Sequence, residues 1–152
     1  ARASRTTYPP LPQKSEAGTQ NIAGTPTLRP ALEMAAQMRE SGAEAELDKV
    51  KQFVLNKLQE NPKVRLYGIP SDPAEKIPLF SFSVEHCHHE DLALILDKMG
   101  VAVRSGQMCA EPLMDRFGVT GMLRASFAPY NTMAEAEYFL ESLERAVKML
   151  VG

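Results

Sequence analysis

One of the two cysteines lies in a setting that favours covalent chemistry. Cys109 follows a short glycine-containing loop and precedes a helix predicted to start near Pro112. Unpaired backbone N–H groups at a helix start carry partial positive charge, which favours a thiolate over a thiol. Arg104, five residues earlier, adds positive potential, and Glu111 partly opposes it. The same pattern suits a small buried hydrophobic residue, so a reactive and a structural Cys109 are both open interpretations.

A single cation interrupts a second segment that is otherwise apolar. Arg124 lies in the predicted strand 123–128. A buried guanidinium costs several kcal/mol unless an anion accompanies it. Its planar fork suits a carboxylate bound through two hydrogen bonds. The carboxylate of a substrate and an acidic side chain of the chain itself are equally open partners.

A third segment, Glu16-Ala-Gly-Thr-Gln-Asn21, gives a weaker signal. Gly18 permits close approach of the backbone to a ligand, and the hydroxyl of Thr19 with nearby N–H groups can bind a phosphate. An ordinary turn accounts for these residues equally well in chemical terms, and turns of this kind are far more common.

The segment His86-Cys87-His88-His89-Glu90-Asp91 has the residue types of a metal site. Adjacent residues of a strand point to opposite faces, and no second ligand pair occurs at zinc-finger spacing. We therefore expect no metal here. The favoured interpretation is a strand end followed by a helix that Glu90 or Asp91 caps.

These residues need a scaffold, and the hydrophobic periodicity predicts one. Helices and strands alternate along the chain, which implies an α/β layer with helices packed on one face of a small sheet. The predicted helices span 26–42, 43–60, 91–99, 112–117 and 132–150, and the predicted strands span 64–67, 79–84, 101–104 and 123–128. Phe80, Phe82 and Val84 alternate in the second of these strands, and Thr132 with Glu135 has the spacing of a capping box at the start of the last helix.

Composition excludes several function classes. The 152 residues are 44% hydrophobic, which suits one globular domain, and the net charge of −2 leaves no basic stripe for nucleic acid. No apolar run reaches the roughly 20 residues that cross a membrane. Two cysteines without framework spacing indicate free thiols in a reducing compartment. We expect the cytoplasm, with an organelle as the alternative.

The first 14 residues differ from the rest of the chain. They contain Arg2, Arg5, Lys14 and three prolines but no acidic residue. This composition is typical of a segment between domains or of the remainder of a targeting peptide, and we favour the interdomain segment.

Four segments together resemble the group II cysteine desulfurases, of the CsdA and SufS type, within the class V aminotransferase-like family. The resemblance covers residues 14–151. The segments are Glu-Ala-Gly-Thr at 16–19, Gly-Val-Ala-Val-Arg-Ser-Gly at 100–106, Cys-Ala-Glu-Pro-Leu-Met at 109–114 and Gly-Val-Thr-Gly-Met-Leu-Arg-Ala-Ser-Phe-Ala-Pro-Tyr-Asn-Thr at 118–132.

The resemblance implies a role for each candidate residue. Cys109 matches the nucleophile that takes sulfur from L-cysteine bound to pyridoxal 5'-phosphate, becoming a persulfide while alanine leaves. Arg124 matches the arginine that binds the substrate carboxylate. Thr19, with Gly18, matches the residue that reaches the phosphate of the partner's cofactor in a homodimer. Arg104 matches an arginine near the cysteine loop. A SufE- or CsdE-type protein is the implied sulfur acceptor, in iron–sulfur cluster assembly or sulfur metabolism.

The resemblance also implies what this chain lacks. It matches the α+β small domain of fold-type I transferases over 26–152, with residues 1–25 as a linker that bears the Gly-Thr turn. No lysine occurs in the Schiff-base context, which in the family belongs to a large N-terminal domain, so we expect the chain alone to be inactive. Gln107 and Met108 replace the His-His of many members, which questions any proton transfer assigned to those histidines.

Two alternatives stay open beside desulfuration. A selenocysteine lyase shares the scaffold and does not need the protein thiol for selenium to leave. A persulfide carrier or docking domain without pyridoxal phosphate would accept sulfur made elsewhere. A dimerisation domain without sulfur chemistry is disfavoured, because such a domain has no use for both Cys109 and Arg124.

Overall fold

The structure, a computed structural model, describes residues 7–16, 18–70 and 72–152. Predictions that involve Arg2, Arg5 and Ala17, and the residue at position 71 of the predicted turn, lie outside the described residues. The chain divides into two compact units, Ala1–Gln37 and Met38–Gly152, and each is treated separately below.

The first unit contains short helical segments and little core. Two 3-10 turns, Gln13–Ser15 and Thr25–Thr27, precede helix α1, which spans Leu28–Glu40 and ends in the second unit. The helix begins two residues later than its predicted start at 26, because Pro26 lies in the second 3-10 turn. No residue of α1 is buried.

The second unit is built on a sheet of four strands in the order β1-β2-β4-β3, in which every neighbouring pair is antiparallel. Period-two burial defines β2, since Phe80, Phe82 and Val84 are buried and the residues between them are half-buried. The strands span Val64–Tyr67 (β1), Leu79–Val84 (β2), Arg104–Gly106 (β3) and Met122–Ser126 (β4).

Three helices cover one face of this sheet: α2 (Ala43–Glu60), α3 (His89–Lys98) and α5 (Met133–Val151). They share one hydrophobic core with β2 and β4, and burial of this apolar surface is the main source of stability. The predicted α/β layer is therefore confirmed. Among the largest fully buried side chains are Leu58 of α2, Phe80 and Phe82 of β2, Leu92 of α3 and Leu123 of β4.

A short helix, α4 (Glu111–Phe117), lies against the opposite face of the sheet. Its Met114 shares a second, smaller cluster with Tyr67 of β1 and Met122 of β4, whose side chains point away from the main core. No helix of the described residues is both long and apolar enough to cross a membrane.

The helix caps test two local predictions. Thr132 and Glu135 form the predicted capping box at the start of α5. The predicted cap of α3 was wrong, because Nδ1 of His88 accepts the N–H of Glu90 at 3.4 Å. Glu90 and Asp91 lie inside the first turn, where negative charge favours the helix dipole.

The third strand is also displaced from its predicted position. It begins at Arg104, whereas 101–104 was predicted. Val101 and Val103 pack against the main core before the chain joins the sheet, so their alternation reflects burial without strand pairing. Both cysteines are free.

Candidate functional site

Two arginines face each other across the edge of the sheet. In the register of β3 and β4, Arg104 pairs with Arg124. Side chains of directly opposed residues project to the same face of a sheet. Leu123 and Ala125, on either side of Arg124, point into the main core, so both arginines belong to the face that α2, α3 and α5 do not cover. Arg104 is exposed and Arg124 is half-buried.

Neither guanidinium has an acidic partner in the part of the chain that the structure describes. No ion pair of Arg104 or Arg124 occurs among the described residues. Nε of Arg124 is buried and has no hydrogen-bond partner there either. A buried, unpaired charged donor is costly, so an anion from outside this part of the chain would stabilise the pair. The open alternative of an internal ion pair for Arg124 is thus not found in the described residues.

Cys109 lies at the corner of a tight turn. The N–H of Ala110 donates to the carbonyl of Gln107 at 2.9 Å, which closes a four-residue turn. The two central residues, Met108 and Cys109, have φ values of 58° and 59°. Both are in the left-handed region that residues with a Cβ rarely adopt. The Cys109 side chain is exposed, so the buried structural interpretation does not apply to it.

Helix α4 starts directly after this turn. Ala110 is its N-cap residue and provides no side-chain hydrogen bond to the first N–H groups. This is the arrangement that the sequence predicted for Cys109, although a helix of seven residues has only a small dipole.

The second hydrophobic cluster attaches this turn to the arginine-bearing face. Met108 and Ala110, the neighbours of Cys109, pack against the cluster formed by Tyr67, Met114 and Met122. Met122 precedes Arg124 by two residues in β4 and therefore points to the same face. The structure thus places Arg104, Arg124 and the turn of Cys109 on one side of the sheet.

Tyr67 was not identified from the sequence as a residue of the cluster next to the Cys109 turn. Its hydroxyl lies 2.9 Å from Oγ of Ser83, and its ring centre lies 5.0 Å from that of Phe117. The guanidinium of Arg65 lies over the same ring at 5.1 Å. Tyr67 ends β1 and contacts α4, the helix that follows Cys109. The sequence does not show that these two elements are in contact, so it could not indicate this role of Tyr67. The methionines at 108, 114 and 122 were the available signal.

The Gly-Thr turn belongs to the first unit. Gly18 has φ of 95°, which only glycine adopts readily, and a Cβ at this position would contact no other described atom. Thr19 is exposed. The turn is therefore open to a phosphate. Arg104, Cys109 and Arg124 lie in the second unit, which is described by itself.

The histidine-rich segment shows no metal geometry. Among residues 7–16, 18–70 and 72–152, no three His, Cys, Asp or Glu side chains form a group that could hold a metal ion. Burial lowers the pKa of His89, and neighbouring His88 lowers it further. Burial raises the pKa of the Cys87 thiol, with Lys63 opposing this shift. A raised pKa disfavours the thiolate form of Cys87, which is the form that reacts.

The two buried lysines are engaged in structural contacts. Nζ of Lys51 lies 2.8 Å from Oδ1 of Asp48. Nζ of Lys76 donates to the carbonyl of Leu79 and lies 5.3 Å from the centre of the Phe80 ring. Burial lowers the pKa of Lys76. None of these contacts involves Cys109, Arg104 or Arg124.

Comparison with known proteins gives the family. The family model for class-V aminotransferases matches residues 1–139. The chain belongs to the class-V aminotransferase family. This membership confirms the family level of the resemblance drawn from the four sequence segments.

The class-V aminotransferase chain is similar to proteins named as cysteine desulfurases. It is 37% identical over 145 residues to a "Probable cysteine desulfurase" of Vibrio cholerae, covering 95% of this chain and 35% of that protein. It is 38% identical over 140 residues to "Cysteine desulfurase CsdA" of Escherichia coli, covering 92% and 34%. The chain therefore spans about a third of the length of these curated relatives.

Solved structures show the same similarity. The cysteine desulfurase CsdA from Escherichia coli matches with a TM-score of 0.76 at 36% identity, covering 92% of this chain and 34% of that one. The cysteine desulfurase from Thermococcus onnurineus NA1 matches with a TM-score of 0.77 at 36% identity, covering 91% and 34%. The class-V chain thus has the fold of the corresponding third of these enzymes.

Proposed function

We propose that this chain is the nucleophile-bearing part of a cysteine desulfurase, in which Cys109 takes the sulfur atom of L-cysteine while Arg124 holds the substrate carboxylate. The observation that carries the proposal is the pairing of Arg104 with Arg124 on the face to which the Cys109 turn is attached. Two guanidinium groups without an acidic partner among the described residues, on the sheet face to which the turn of an exposed thiol is attached, suit an anionic substrate with a sulfur atom.

Arg124 would bind and orient the substrate. Its half-buried guanidinium can donate two parallel hydrogen bonds to a carboxylate, which fixes both position and angle. The unpartnered Nε supports this assignment, because a carboxylate there would satisfy it. Arg104, directly opposite, contributes a second positive charge and makes the binding of an anion more favourable.

Cys109 would perform the sulfur transfer. A sulfur–sulfur bond forms at Cys109 as the carbon–sulfur bond of the substrate breaks. In the net reaction the thiol proton ends on the methyl carbon of alanine, so one thiol and one cysteine give one persulfide and one alanine. Pyridoxal phosphate, when bound, supplies the electron sink for this cleavage.

The cofactor fits the residues present here only in part. The exposed Thr19 and the open backbone at Gly18 suit its phosphate. The amines of Lys51 and Lys76 contact Asp48 and the carbonyl of Leu79, not Cys109, and the other lysines of the chain are exposed. We therefore place the Schiff-base lysine outside this chain, in a large domain like that of the longer relatives.

The remaining assignments belong to the same proposal. Residues 1–25 act as a linker with the phosphate-contacting turn, and 26–152 form the small domain. The active form is a homodimer in which Thr19 serves the partner's cofactor. A SufE- or CsdE-type protein collects the persulfide, in the cytoplasm or an organelle.

The test is a fusion of this chain behind the preceding part of one of its cysteine desulfurase relatives. Alanine formation from L-cysteine is measured with added pyridoxal phosphate. We expect Cys109→Ser to abolish turnover, and Arg124→Lys to raise KM strongly because a single ammonium cannot bind a carboxylate bidentately. Glu141→Gln on the exposed side of α5 is the matched control.

The same fusion separates the alternatives. A selenocysteine lyase would keep its turnover of selenocysteine in Cys109→Ser and would form no alanine from L-cysteine even with Cys109 in place. A carrier without cofactor would give no alanine in any variant and yet accept sulfur on Cys109 from a small persulfide donor. Either result would overturn the desulfurase assignment.

A further inference from the structure

The turn that presents Cys109 is intrinsically unfavourable. Met108 and Cys109 both have left-handed backbone dihedrals, and neither is glycine. Positive φ is unfavourable for every residue that has a Cβ. Such a conformation persists only where surrounding contacts impose it. One hydrogen bond, from Ala110 to Gln107, closes the turn. Something besides the turn itself must hold it.

The contacts of the two central residues differ sharply. The Cys109 side chain is exposed, and its exposure leaves it without packing that could fix the backbone. The Met108 side chain is partly buried and packs against Tyr67, Met114 and Met122. Tyr67 is itself fixed by Ser83 and Phe117. The turn is thus attached to the sheet through residue 108 and free at residue 109.

We propose that Met108 is a positioning residue: its side chain inserts into the Tyr67–Met114–Met122 cluster and thereby imposes the turn that keeps the Cys109 thiol exposed. Methionine suits the task because its flexible, unbranched side chain fills irregular apolar space. The effect of Met108 on catalysis rests on the proposed function of Cys109. The packing of Met108 and its effect on the turn do not depend on that function.

Two glycine variants of the same turn give a matched test. Glycine adopts positive φ without penalty, so both variants relieve the backbone strain. Cys109→Gly leaves the packing of the turn unchanged, whereas Met108→Gly also removes the side chain that packs against the cluster. The measurement is hydrogen exchange of the Ala110 amide in the intact chain, followed by NMR. We expect exchange in Met108→Gly to be roughly tenfold faster than in the parent chain, the scale set by losing a partly buried apolar side chain. Cys109→Gly should exchange at the parent rate or more slowly.

A conservative variant tests whether the apolar side chain is the cause. Met108→Leu should restore the parent exchange rate, and Met108→Gln, similar in length but polar, should not. If both glycine variants protect the Ala110 amide equally, backbone strain alone governs the turn and the anchor does not exist. The same conclusion follows if Met108→Gln exchanges like the parent chain.

A second readout connects the anchor to catalysis. In the fusion enzyme, Met108→Gln should lower kcat for L-cysteine with little change in KM, and it should leave selenocysteine turnover unaltered because that reaction does not need the thiol. Equal loss on both substrates would mean a general structural defect and would contradict a positioning role. Failure of the proposed function is recognised separately, since Cys109→Ser would then keep desulfurase turnover whatever Met108 does.

Discussion

Arg104 and Arg124 are directly opposed in the antiparallel pair of β3 and β4, and both lie on the face of the sheet that the three long helices leave uncovered. Like charges directly opposite each other in a sheet destabilise it. No carboxylate of the described residues compensates for them. The pair is therefore a cost to folding that an anionic ligand would offset, and this relationship underlies the proposed substrate site.

The cost of the arginine pair can be measured directly. We expect Arg104→Gln to raise the free energy of unfolding by about 0.5 kcal/mol, since opposed pairs contribute roughly 0.2–1 kcal/mol. The gain should shrink as salt is added, because screening weakens the repulsion in the parent chain. Urea denaturation at low and high salt checks both effects. Arg145→Gln, on an exposed site of α5, is the control, and an equal gain there would show that net charge alone is responsible.

The two cysteines should differ in reactivity. Cys109 is exposed on its turn, whereas Cys87 is half-buried and burial raises the pKa of its thiol. We expect iodoacetamide near neutral pH to modify Cys109 at least about tenfold faster, since only the thiolate reacts. Mass spectrometry of peptides from the timed reaction gives both rates. Cys87→Ser should leave the fast phase intact, and the fast phase should vanish in Cys109→Ser; equal rates at the two sites would disprove the accessibility argument.

A buried hydroxyl in α5 offers a test of the core. Ser142 is fully buried, and its Oγ has no hydrogen-bond partner among the described residues. Removing an unsatisfied buried polar group stabilises a protein, so Ser142→Ala should raise the free energy of unfolding by about 1 kcal/mol. Ala146→Ser, one turn further along the same buried face, should lower it. Urea denaturation of both variants gives the direction of each change in the free energy of unfolding. A loss of stability in Ser142→Ala would mean that the Ser142 hydroxyl has a hydrogen-bond partner.

The capping box of α5 predicts a pH dependence. The N–H of Thr132, with the side chains of Asn131 and Thr132, donates to the Glu135 carboxylate and lowers the pKa of that carboxyl below its usual 4.5. Because the folded-state pKa is depressed, the stabilisation is fully present above pH 4.5 and is lost as the pH falls through the folded-state pKa. Glu135→Gln should therefore unfold more easily than the parent chain at neutral pH, and the difference should narrow below pH 4.5. Thermal unfolding across this range checks it; a difference that does not change with pH would contradict the carboxylate's role.

The elements that local periodicity controls could be predicted from the sequence. The alternation of Phe80, Phe82 and Val84 predicted β2, and Thr132 with Glu135 predicted the start of α5. The layer of helices on a small sheet followed from the order of these elements. Each of these features depends on residues within a few positions of one another.

Features that depend on tertiary contacts could not be predicted. No local pattern indicates that Arg104 pairs with Arg124, because strand order and register are set by packing. The positive φ at Met108 runs against the preference of methionine, and no local sequence pattern indicates it. The cap of α3 was assigned to Glu90 or Asp91 because acidic side chains are common caps, whereas His88 takes that position. Cys109 and Arg124 were proposed for a ligand from chemistry and resemblance, and their roles are proposals that activity must test.

The central claim is that Cys109 receives sulfur from a cysteine whose carboxylate Arg124 holds, and the most direct measurement is the position of the persulfide. The fusion enzyme is mixed with L-cysteine and pyridoxal phosphate, its thiols are trapped by alkylation, and peptides are examined by mass spectrometry. We expect one additional sulfur atom on the Cys109 peptide, none on the Cys87 peptide, and none on either in Arg124→Gln. Sulfur on Cys87, or undiminished sulfur on Cys109 in Arg124→Gln, would contradict the claim.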